Sequence, residues 1–266
     1  MPGSDDPVAT SPAAAEVEEM IEPAVPERLR WLVELLDAHP GERIVDLGCG
    51  TGTVLATIAE RHELDLVGLD SSIAALRTAA LHLDASSRLL AQADLARSIP
   101  LAETSVDRAL CHNVLECLPD PAALVADIHR ILRPDGRLVL SHSDFDTLVF
   151  ASEDLELTRR LVRSYCDTQQ DWMDAVDGTI GRRLVDIVGC SALRVEDVQA
   201  RVNLSARFQP GELGHAYAHN LVGVLRARGT VDPAELDRWL AGLRRLDARG
   251  AFLFSVNDYA VVATRP

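Results

Sequence analysis

The 266-residue sequence contains no lysine, and all 26 of its basic residues are arginine. Schiff-base formation and general-base catalysis by a lysine amine are therefore excluded. Acidic residues outnumber basic ones by 41 to 26, which gives a formal net charge of −15. Because so much negative charge repels polyanions, nucleic acids and anionic membranes are poor candidate partners, and a small molecule is a better one.

Two further absences concern the cellular compartment. The sequence has no run of about 18 apolar residues and no basic N-terminus followed by a short apolar stretch, so neither a membrane span nor a secretion signal is predicted. The cysteines are odd in number, widely spaced and without a C-x-x-C pair, which predicts reduced thiols in the core. They are Cys49, Cys111, Cys117, Cys166 and Cys190. These features predict a cytoplasmic protein.

Aromatic residues are also scarce, at 4%, although apolar residues make up 47% of the sequence. The core is therefore predicted to consist mostly of Leu, Val, Ala and Ile. Residues 1–22 are rich in Pro, Ala, Ser, Asp and Glu and predict a flexible acidic tail. The remaining length suits one large α/β domain over residues 23–266 rather than two small ones.

The stretch RIVDLGCGTG, residues 43–52, combines a short apolar run with three closely spaced glycines. The β-branched Ile44 and Val45 predict a strand that is buried on both faces of a parallel sheet. Three glycines at alternate positions then form a turn in which the main chain can approach a ligand without obstruction by Cβ atoms. A helix is predicted to begin directly after this turn, so its N-terminus could hold a nucleotide-derived ligand.

An acid follows the next apolar run at a spacing typical of nucleotide-binding folds. Residues 64–69 predict a second strand, and Asp70 comes at its end, about 20 residues after the glycine turn. A carboxylate at this position can accept hydrogen bonds from both hydroxyls of a ribose. The alternative is that Asp70 caps the helix that begins near Ser72, and the two roles are compatible.

The spacing of the glycines indicates the kind of cofactor. A dinucleotide fingerprint reads G-x-G-x-x-G, whereas this turn reads G-x-G-x-G with an acid two residues ahead. VDLGCGTG resembles the first motif of the class I S-adenosylmethionine-dependent methyltransferases, in which this loop holds the methionyl end of the cofactor. The resemblance implies S-adenosylmethionine as cofactor and S-adenosyl-L-homocysteine as product. The cofactor contacts expected in this part of the chain are Asp46, Gly48, Cys49, Gly50, Asp70 and Ser71.

Further motifs extend the resemblance over about residues 40–143. Asp94 and Leu95 match the positions at which the family receives the adenine amino group and a ring nitrogen, although Asp94 could also be an ordinary turn residue. IPL followed by SVD resembles the approach to the fourth strand, and ILRPDGRLVL resembles the entry to the fifth. NVLECLPDP, preceded by His112, resembles the segment whose backbone carbonyls hold the methionyl ammonium.

The resemblance implies an α/β fold, namely a doubly wound, seven-stranded, mostly parallel sheet of the Rossmann-like methyltransferase type. The last strand of that fold runs antiparallel to the others. Helical cap insertions are expected after strand 5 and between strands 6 and 7, at about residues 144–180 and 207–248. Family members that act on small molecules add caps of this kind.

Polar residues after the fifth predicted strand are candidates for contact with a methyl acceptor. Asp144 and Asp146 lie at the carboxyl edge of the predicted sheet, where open α/β sheets bind ligands. Because the chain has no lysine to neutralise them, these carboxylates favour a cationic or hydrogen-bond-donating acceptor such as an amine. The alternative is a solvated turn. Trp172 could line the acceptor pocket or merely pin a lid to the core.

Three histidines are candidate general bases by their reference pKa, namely His142, His215 and His219. The last two lie with Tyr217 within five residues of one predicted cap helix, which suggests a polar wall of the acceptor site. Tyr217 is therefore a candidate acceptor contact. No metal site is predicted, because further ligands at the usual spacing are lacking.

The function predicted from these features is SN2 methyl transfer from S-adenosylmethionine to a small molecule, such as a natural product or an amine or heterocyclic metabolite. Two alternatives share the fold, namely a nicotinamide-dependent oxidoreductase and a non-catalytic relative that only binds the cofactor. The missing G-x-x-G spacing argues against the oxidoreductase. The sequence leaves open the acceptor, the atom that is methylated and the oligomeric state.

Overall fold

The computed structural model describes residues 26–60, 64–83, 88–169, 173 and 178–266, without the side chains of residues 26–28. The predicted tail at residues 1–22 and Trp172 lie outside the described residues.

The described residues form one seven-stranded sheet. Its strands are β1 Arg43–Leu47, β2 Asp65–Asp70, β3 Arg88–Gln92, β4 Val106–His112, β5 Leu132–Phe150, β6 Arg194–Ser205 and β7 Phe254–Thr264. Their order across the sheet is β3-β2-β1-β4-β5-β7-β6, and β7 pairs antiparallel with both of its neighbours while the other pairs are parallel. The predicted fold class is confirmed.

Eight helices connect these strands in the described part of the chain. They are α1 Pro26–Leu36, α2 Thr53–Ala59, α3 Ile73–His82, α4 Pro121–Ile131, α5 Leu155–Cys166, α6 Ile180–Gly189, α7 Leu213–Arg228 and α8 Pro233–Ala248. A short 3₁₀ helix, Leu115–Cys117, follows β4. Polar caps fix several helix starts, because they satisfy backbone N–H groups that have no partner within the helix. At α4, for example, Asp120 accepts a hydrogen bond from the Ala123 N–H at 3.1 Å and Pro121 occupies the first turn.

The sheet is covered on both faces, as its apolar strands require. Helices α1, α2 and α3 pack with Ile44 and Leu110 on one face. Helices α4 and α6 pack with Val45, Leu47 and Leu140 on the other. Both clusters are almost entirely aliphatic, in agreement with the low aromatic content of the sequence.

The cap has a hydrophobic cluster of its own, formed by α5, α7, α8 and the adjoining ends of β5 and β7. Most aromatic residues of the chain lie here. Phe150 contacts Trp239 edge-on with ring centroids 5.1 Å apart, and the Trp239 Nε1–H donates to Thr158 Oγ1 at 2.8 Å. The cap is thus held by aromatic packing, whereas the sheet is held by aliphatic packing.

The fifth strand is longer than the sequence predicted, and the first cap segment therefore begins after Phe150 rather than at residue 144. β5 pairs with β7 at Asp144↔Asn257 and again at Val149↔Ser255, with an irregularity between them. The strand continues because β7 offers a partner as far as Phe254. The polar residues of this stretch had suggested a loop.

Candidate cofactor and acceptor site

Three neighbouring strands end level with one another at the carboxyl edge of the sheet. Leu47 at the end of β1 pairs with Leu69 on β2 and with Cys111 on β4. This register brings Asp70 and His112, which end β2 and β4, next to the glycine turn that follows β1. The residues that the sequence assigned to a cofactor therefore meet at one edge, where open α/β sheets bind ligands.

The glycine turn has a backbone that only glycine adopts without strain. Gly48, Gly50 and Gly52 have φ angles of 76°, 50° and 81°. A Cβ on Gly48 would collide with the Val114 side chain, and one on Gly52 would lie 2.8 Å from the Ala79 Cβ. The turn is thus packed closely between the segment after β4 and helix α3.

Two other residues of the first motif lie below the turn rather than in it. Asp46 is 2% exposed, and the buried Cys49 directs its Sγ to 2.9 Å from where a Cβ on Gly68 would lie. The Cys49 N–H donates to the Leu69 carbonyl at 3.0 Å.

Cys111 on β4 is also buried. Burial, with the Asp46 charge as a smaller cause, raises the pKa of the Cys111 thiol well above its usual value. Cys49 and Cys111 therefore act as packing residues here.

Asp70 organises the turn from the neighbouring strand. Its Oδ2 accepts a hydrogen bond from the Gly50 N–H at 2.9 Å, and its Oδ1 accepts one from the Ser72 N–H at 2.7 Å. The cap of α3 is Ser72, whose side chain accepts from the Ala75 N–H at 3.2 Å. Asp70 is therefore not itself the capping residue. A carboxylate has about four acceptor positions, so Asp70 can receive ribose hydroxyls as well as these two donors.

The predicted adenine contacts lie in the loop after β3. Asp94 accepts a hydrogen bond from the Ala96 N–H at 3.1 Å and pairs with Arg97 at 3.2 Å, yet its side chain is 58% exposed. Leu95 beside it is buried. Ser71 is exposed, and its carbonyl accepts a hydrogen bond from Gln92 Nε2 at 2.8 Å. Asp94 is thus a turn residue that is also open to a ligand.

The segment after β4 is fixed to the end of β5. Asn113 has φ 52°, its N–H donates to the Ser141 carbonyl at 3.1 Å, and its Oδ1 accepts from the Ser143 N–H at 2.9 Å. The Asn113 Nδ2 lies 3.2 Å from His112 Nε2, and Ser141 Oγ lies 3.3 Å from His112 Nδ1. Because an amide N–H₂ can only donate, His112 Nε2 must be the acceptor, which assigns a neutral imidazole with Nδ1 protonated.

His142 does not have the geometry of a general base, contrary to its predicted role. It is fully buried, its Nδ1 lies 2.7 Å from the Ser143 carbonyl, and its Nε2 contacts the Glu116 carboxylate. Both ring nitrogens face acceptors, so neither offers a lone pair to an incoming substrate proton. Glu116 was missed because nothing in the run NVLECLPDP marks its acid as buried.

Asp144 and Asp146 lie within β5 rather than after it, and they do not form the open anionic pocket on which their predicted contact with a cationic acceptor depended. Asp144 is fully buried, and its oxygens accept hydrogen bonds from Arg182 Nη2 at 2.6 Å and Nε at 2.7 Å. Asp146 is half-exposed and lies 3.3 Å from the same guanidinium. Arg182 was missed because it lies 38 residues after Asp144. A bidentate arginine neutralises most of the charge that an amine would have sought.

This ion pair predicts a difference between two conservative substitutions. Asp144→Asn should lower the free energy of unfolding by on the order of 2–3 kcal/mol, because it breaks a largely buried pair. Asp146→Asn removes a half-exposed partner of the same arginine and should cost less than about 1 kcal/mol. Urea denaturation of both variants checks this. A larger effect from Asp146→Asn would contradict the assignment, as would an acceptor KM that changes in Asp144→Asn at parental stability.

The three side chains of the predicted polar wall lie on different faces of the cap helix α7. His215 and His219 lie one turn apart on α7 with ring centroids at 4.3 Å, and both contact Phe208. Burial is the main cause that lowers the pKa of each histidine, which keeps both neutral. Tyr217, two residues from each, contacts Phe145 and Phe254 instead. Positions two apart on a helix differ by about 200°, so the three side chains cannot share a wall.

Phe145 joins the cap cluster to His142 on β5. Its ring lies 5.9 Å from His142, 6.4 Å from Tyr165 and 6.3 Å from Tyr217, measured between centroids. It remains partly exposed, whereas the two tyrosines are 5% exposed. The structure therefore brings an aromatic surface, not an acidic one, to the end of β5.

Two negative findings apply to the part of the chain that the structure describes. No helix there has both the length and the apolar character to span a membrane. The same residues contain no group of three or more His, Cys, Asp or Glu that could hold a metal ion.

Comparison with known proteins identifies the fold and the domain. Residues 45–140 match a family model described as "Methyltransferase domain". The YcgJ protein of Bacillus subtilis has a solved structure that superposes with a TM-score of 0.60 over 90% of this chain and 98% of that chain, at 16% identity. This similarity shows a shared fold.

Two curated relatives show similarity at the level of sequence. An uncharacterized 37.1 kDa protein in transposon TN4556 of Streptomyces fradiae is 31% identical over 240 residues, which cover 87% of this chain and 65% of that protein. The ubiquinone biosynthesis O-methyltransferase of Alkalilimnicola ehrlichii is 35% identical over 121 residues, covering 44% of this chain and 47% of that enzyme. The chain thus spans between about half and two thirds of the length of these relatives.

The sheet order and the glycine turn define a protein with the Rossmann-like methyltransferase fold. With the family model matched over residues 45–140, the chain carries a methyltransferase domain of the class I S-adenosylmethionine-dependent type, as the sequence motifs predicted.

Proposed function

We propose that this protein transfers a methyl group from S-adenosylmethionine to a small-molecule acceptor, and that the acceptor is methylated on oxygen. The observation that carries the first part is the shape of the carboxyl edge. The close contact between Gly48 and Val114 leaves room for main chain but not for a Cβ, and the partly buried Asp70 lies beside it. A cofactor with a ribose and a charged amino-acid end suits these groups.

Each part of the cofactor has a matching group in this chain. Asp70 would accept the ribose hydroxyls, and Asp94 would accept the adenine amino group while remaining in its turn. The carbonyls of the segment after His112 would receive the methionyl ammonium. A helix N-terminus follows the glycine turn, and its positive end favours the methionyl carboxylate.

The chemistry requires little of the protein beyond positioning. When bound, S-adenosylmethionine supplies a methyl group on a positively charged sulfur, which is already a strong electrophile. The chain has to hold the acceptor in line with that methyl group and exclude water. The edge formed by the glycine turn and the segment after β4 would hold the reactants in line. The cap formed by α5, α7 and α8 would exclude water.

The acceptor class follows from what the structure places at the end of β5. Arg182 neutralises the buried Asp144 and lies 3.3 Å from Asp146, whereas the partly exposed Phe145, backed by two tyrosines, offers an apolar, planar surface. Aromatic rings pack favourably on such a surface. The relatives named as ubiquinone biosynthesis O-methyltransferases agree with a hydroxylated aromatic acceptor. The main argument for an amine acceptor, an open pair of carboxylates, therefore no longer applies.

Titration calorimetry and a methylation assay test this proposal in sequence. The protein should bind S-adenosylmethionine and S-adenosylhomocysteine and should not bind NADH. With labelled cofactor, a library of hydroxylated aromatic compounds should yield methyl ethers, identified by mass and by loss of the hydroxyl. Binding of NADH alone would overturn the cofactor assignment. Labelling confined to an amine library would overturn the acceptor class, and cofactor binding without turnover on any acceptor would indicate a non-catalytic relative.

A further inference from the structure

The segment 113–118, between β4 and α4, is fixed to its surroundings at three points. Asn113 exchanges hydrogen bonds with the end of β5, and Val114 lies against Gly48 of the glycine turn. The third point is Glu116, which contacts Nε2 of His142. The first contact uses the main chain and the side-chain amide of Asn113, and the second is made by an apolar methyl group. Only the third joins two ionisable side chains.

Glu116 and His142 are both buried, at 7% and 0% exposure. His142 Nδ1 faces the Ser143 carbonyl at 2.7 Å and Nε2 faces Glu116, so with Glu116 ionised the ring satisfies both contacts as an imidazolium. Burial opposes this charge, but Glu116, the Ser143 carbonyl and Asp258 together raise the pKa of His142. Burial likewise opposes the carboxylate, yet His142 lowers the pKa of Glu116.

The groups around this pair reinforce the positive charge on His142. Asp258 on β7 lies behind Ser143, whose Oγ–H donates to Asp258 Oδ1 at 2.7 Å. Tyr259 pairs with His142 across the β5–β7 ladder, and Cys111 on β4 lies within the field of Glu116. On the side of α6, Asp144 is neutralised by Arg182. Besides Arg182, Arg201 on β6 is a cation among these neighbours, because it pairs with Asp258 across the β6–β7 ladder.

We propose that Glu116 and His142 form a buried ion pair that positions segment 113–118 against the glycine turn and thereby sets the affinity for the cofactor. The inference rests on the proposed cofactor site, and both are positioning residues because neither reaches the cofactor edge itself. A charge pair suits this task because its hydrogen bond fixes direction as well as distance. An apolar pair of similar volume would hold the core together without fixing the segment.

The pair also makes positioning dependent on pH. The folded pKa of His142 is raised above 6.5, so its contribution is complete below pH 6.5 and is lost as the pH rises through the raised value. The folded pKa of Glu116 is lowered below 4.5, so its contribution is complete above pH 4.5 and is lost as the pH falls through the lowered value. Cofactor affinity should therefore be constant between the lowered pKa of Glu116 and the raised pKa of His142, and it should weaken as the pH rises above the second or falls below the first.

The test measures the Kd of S-adenosylhomocysteine by calorimetry between pH 5 and 9, with urea unfolding in parallel. The variants are Glu116→Gln, His142→Gln and the double apolar variant E116L/H142L. Asp167→Asn is the matched control, because it removes an acid from an exposed pair with Arg163 on the cap. Each single variant should weaken binding by on the order of tenfold, since one such factor corresponds to about 1.4 kcal/mol.

The double apolar variant separates positioning from mere stability. It should unfold at a urea concentration close to the parent, because replacing a buried ion pair by apolar residues is often neutral. It should nevertheless bind S-adenosylhomocysteine about tenfold more weakly, with no loss of affinity specific to alkaline pH. Parental affinity and pH profile in a folded double variant would overturn the proposal. Failure of the parent itself to bind would instead overturn the cofactor site.

Discussion

Gly48→Ala is expected to weaken S-adenosylmethionine binding by about a hundredfold or more, which corresponds to about 2.7 kcal/mol. The new methyl group would collide with Val114, which forms the opposite wall of the cofactor edge. The φ of 76° adds a further cost of about 1–2 kcal/mol for a residue with a Cβ. Calorimetry with S-adenosylhomocysteine measures the loss, and circular dichroism checks that the fold is retained.

Two companion variants separate the collision from the backbone strain. Gly41→Ala introduces a Cβ at a similar φ of 85°, but with nothing within 4 Å of it, so it should cost stability without affecting the cofactor. Adding Val114→Ala to Gly48→Ala removes the colliding methyl group and should restore part of the affinity. If Gly48→Ala and Gly41→Ala bind the cofactor equally well, the glycine turn does not form the cofactor wall.

Asp70→Ala is expected to weaken S-adenosylmethionine by about 2 kcal/mol, or about thirtyfold, as for the loss of charge-assisted hydrogen bonds. The substitution removes the proposed ribose acceptor and also leaves the N–H groups of Gly50 and Ser72 without this partner. S-adenosylhomocysteine should weaken by the same factor, because both ligands carry the same ribose. Calorimetric Kd values for the two ligands provide the comparison.

Asp65→Ala is the matched control for this prediction, since it removes an acid from the opposite end of the same strand. Asp65 pairs with Arg43 at 2.6 Å, and the two side chains are 47% and 43% exposed. Its loss should leave both affinities unchanged and cost less than about 1 kcal/mol of stability. Unchanged ligand affinity in Asp70→Ala would mean that this carboxylate serves only to order the turn.

The fold and the cofactor edge could be predicted from the sequence because their determinants are local. Asp70 and the three glycines each follow a short apolar strand within a few residues, and parallel strands bring their carboxyl ends to one edge. The positions of these residues in the fold therefore follow from the sequence around each of them. The seven-stranded, mostly parallel sheet was predicted from the resemblance to the family, because hydrophobic periodicity indicates strands but not their order in a sheet.

The acceptor side could not be predicted in the same way, because its decisive contacts join distant residues. Glu116 and His142 are 26 positions apart, and Asp144 and Arg182 are 38 apart. A carboxylate at a strand end has the same sequence signature whether it is open or sealed by an arginine. The placement of His215 and Tyr217 on different faces of α7 could have been predicted from the sequence. Once the helix is assigned, helical periodicity alone implies it.

The separate hydrophobic cluster of the cap has an evolutionary consequence. The matched methyltransferase domain ends at residue 140, before the aromatic cluster of α5, α7 and α8 begins. Because that cluster meets the sheet mainly at the ends of β5 and β7, substitutions within it leave the glycine turn and Asp70 untouched. Under the proposed function, substitutions in the cap alone would therefore change the acceptor and leave the cofactor half as it is.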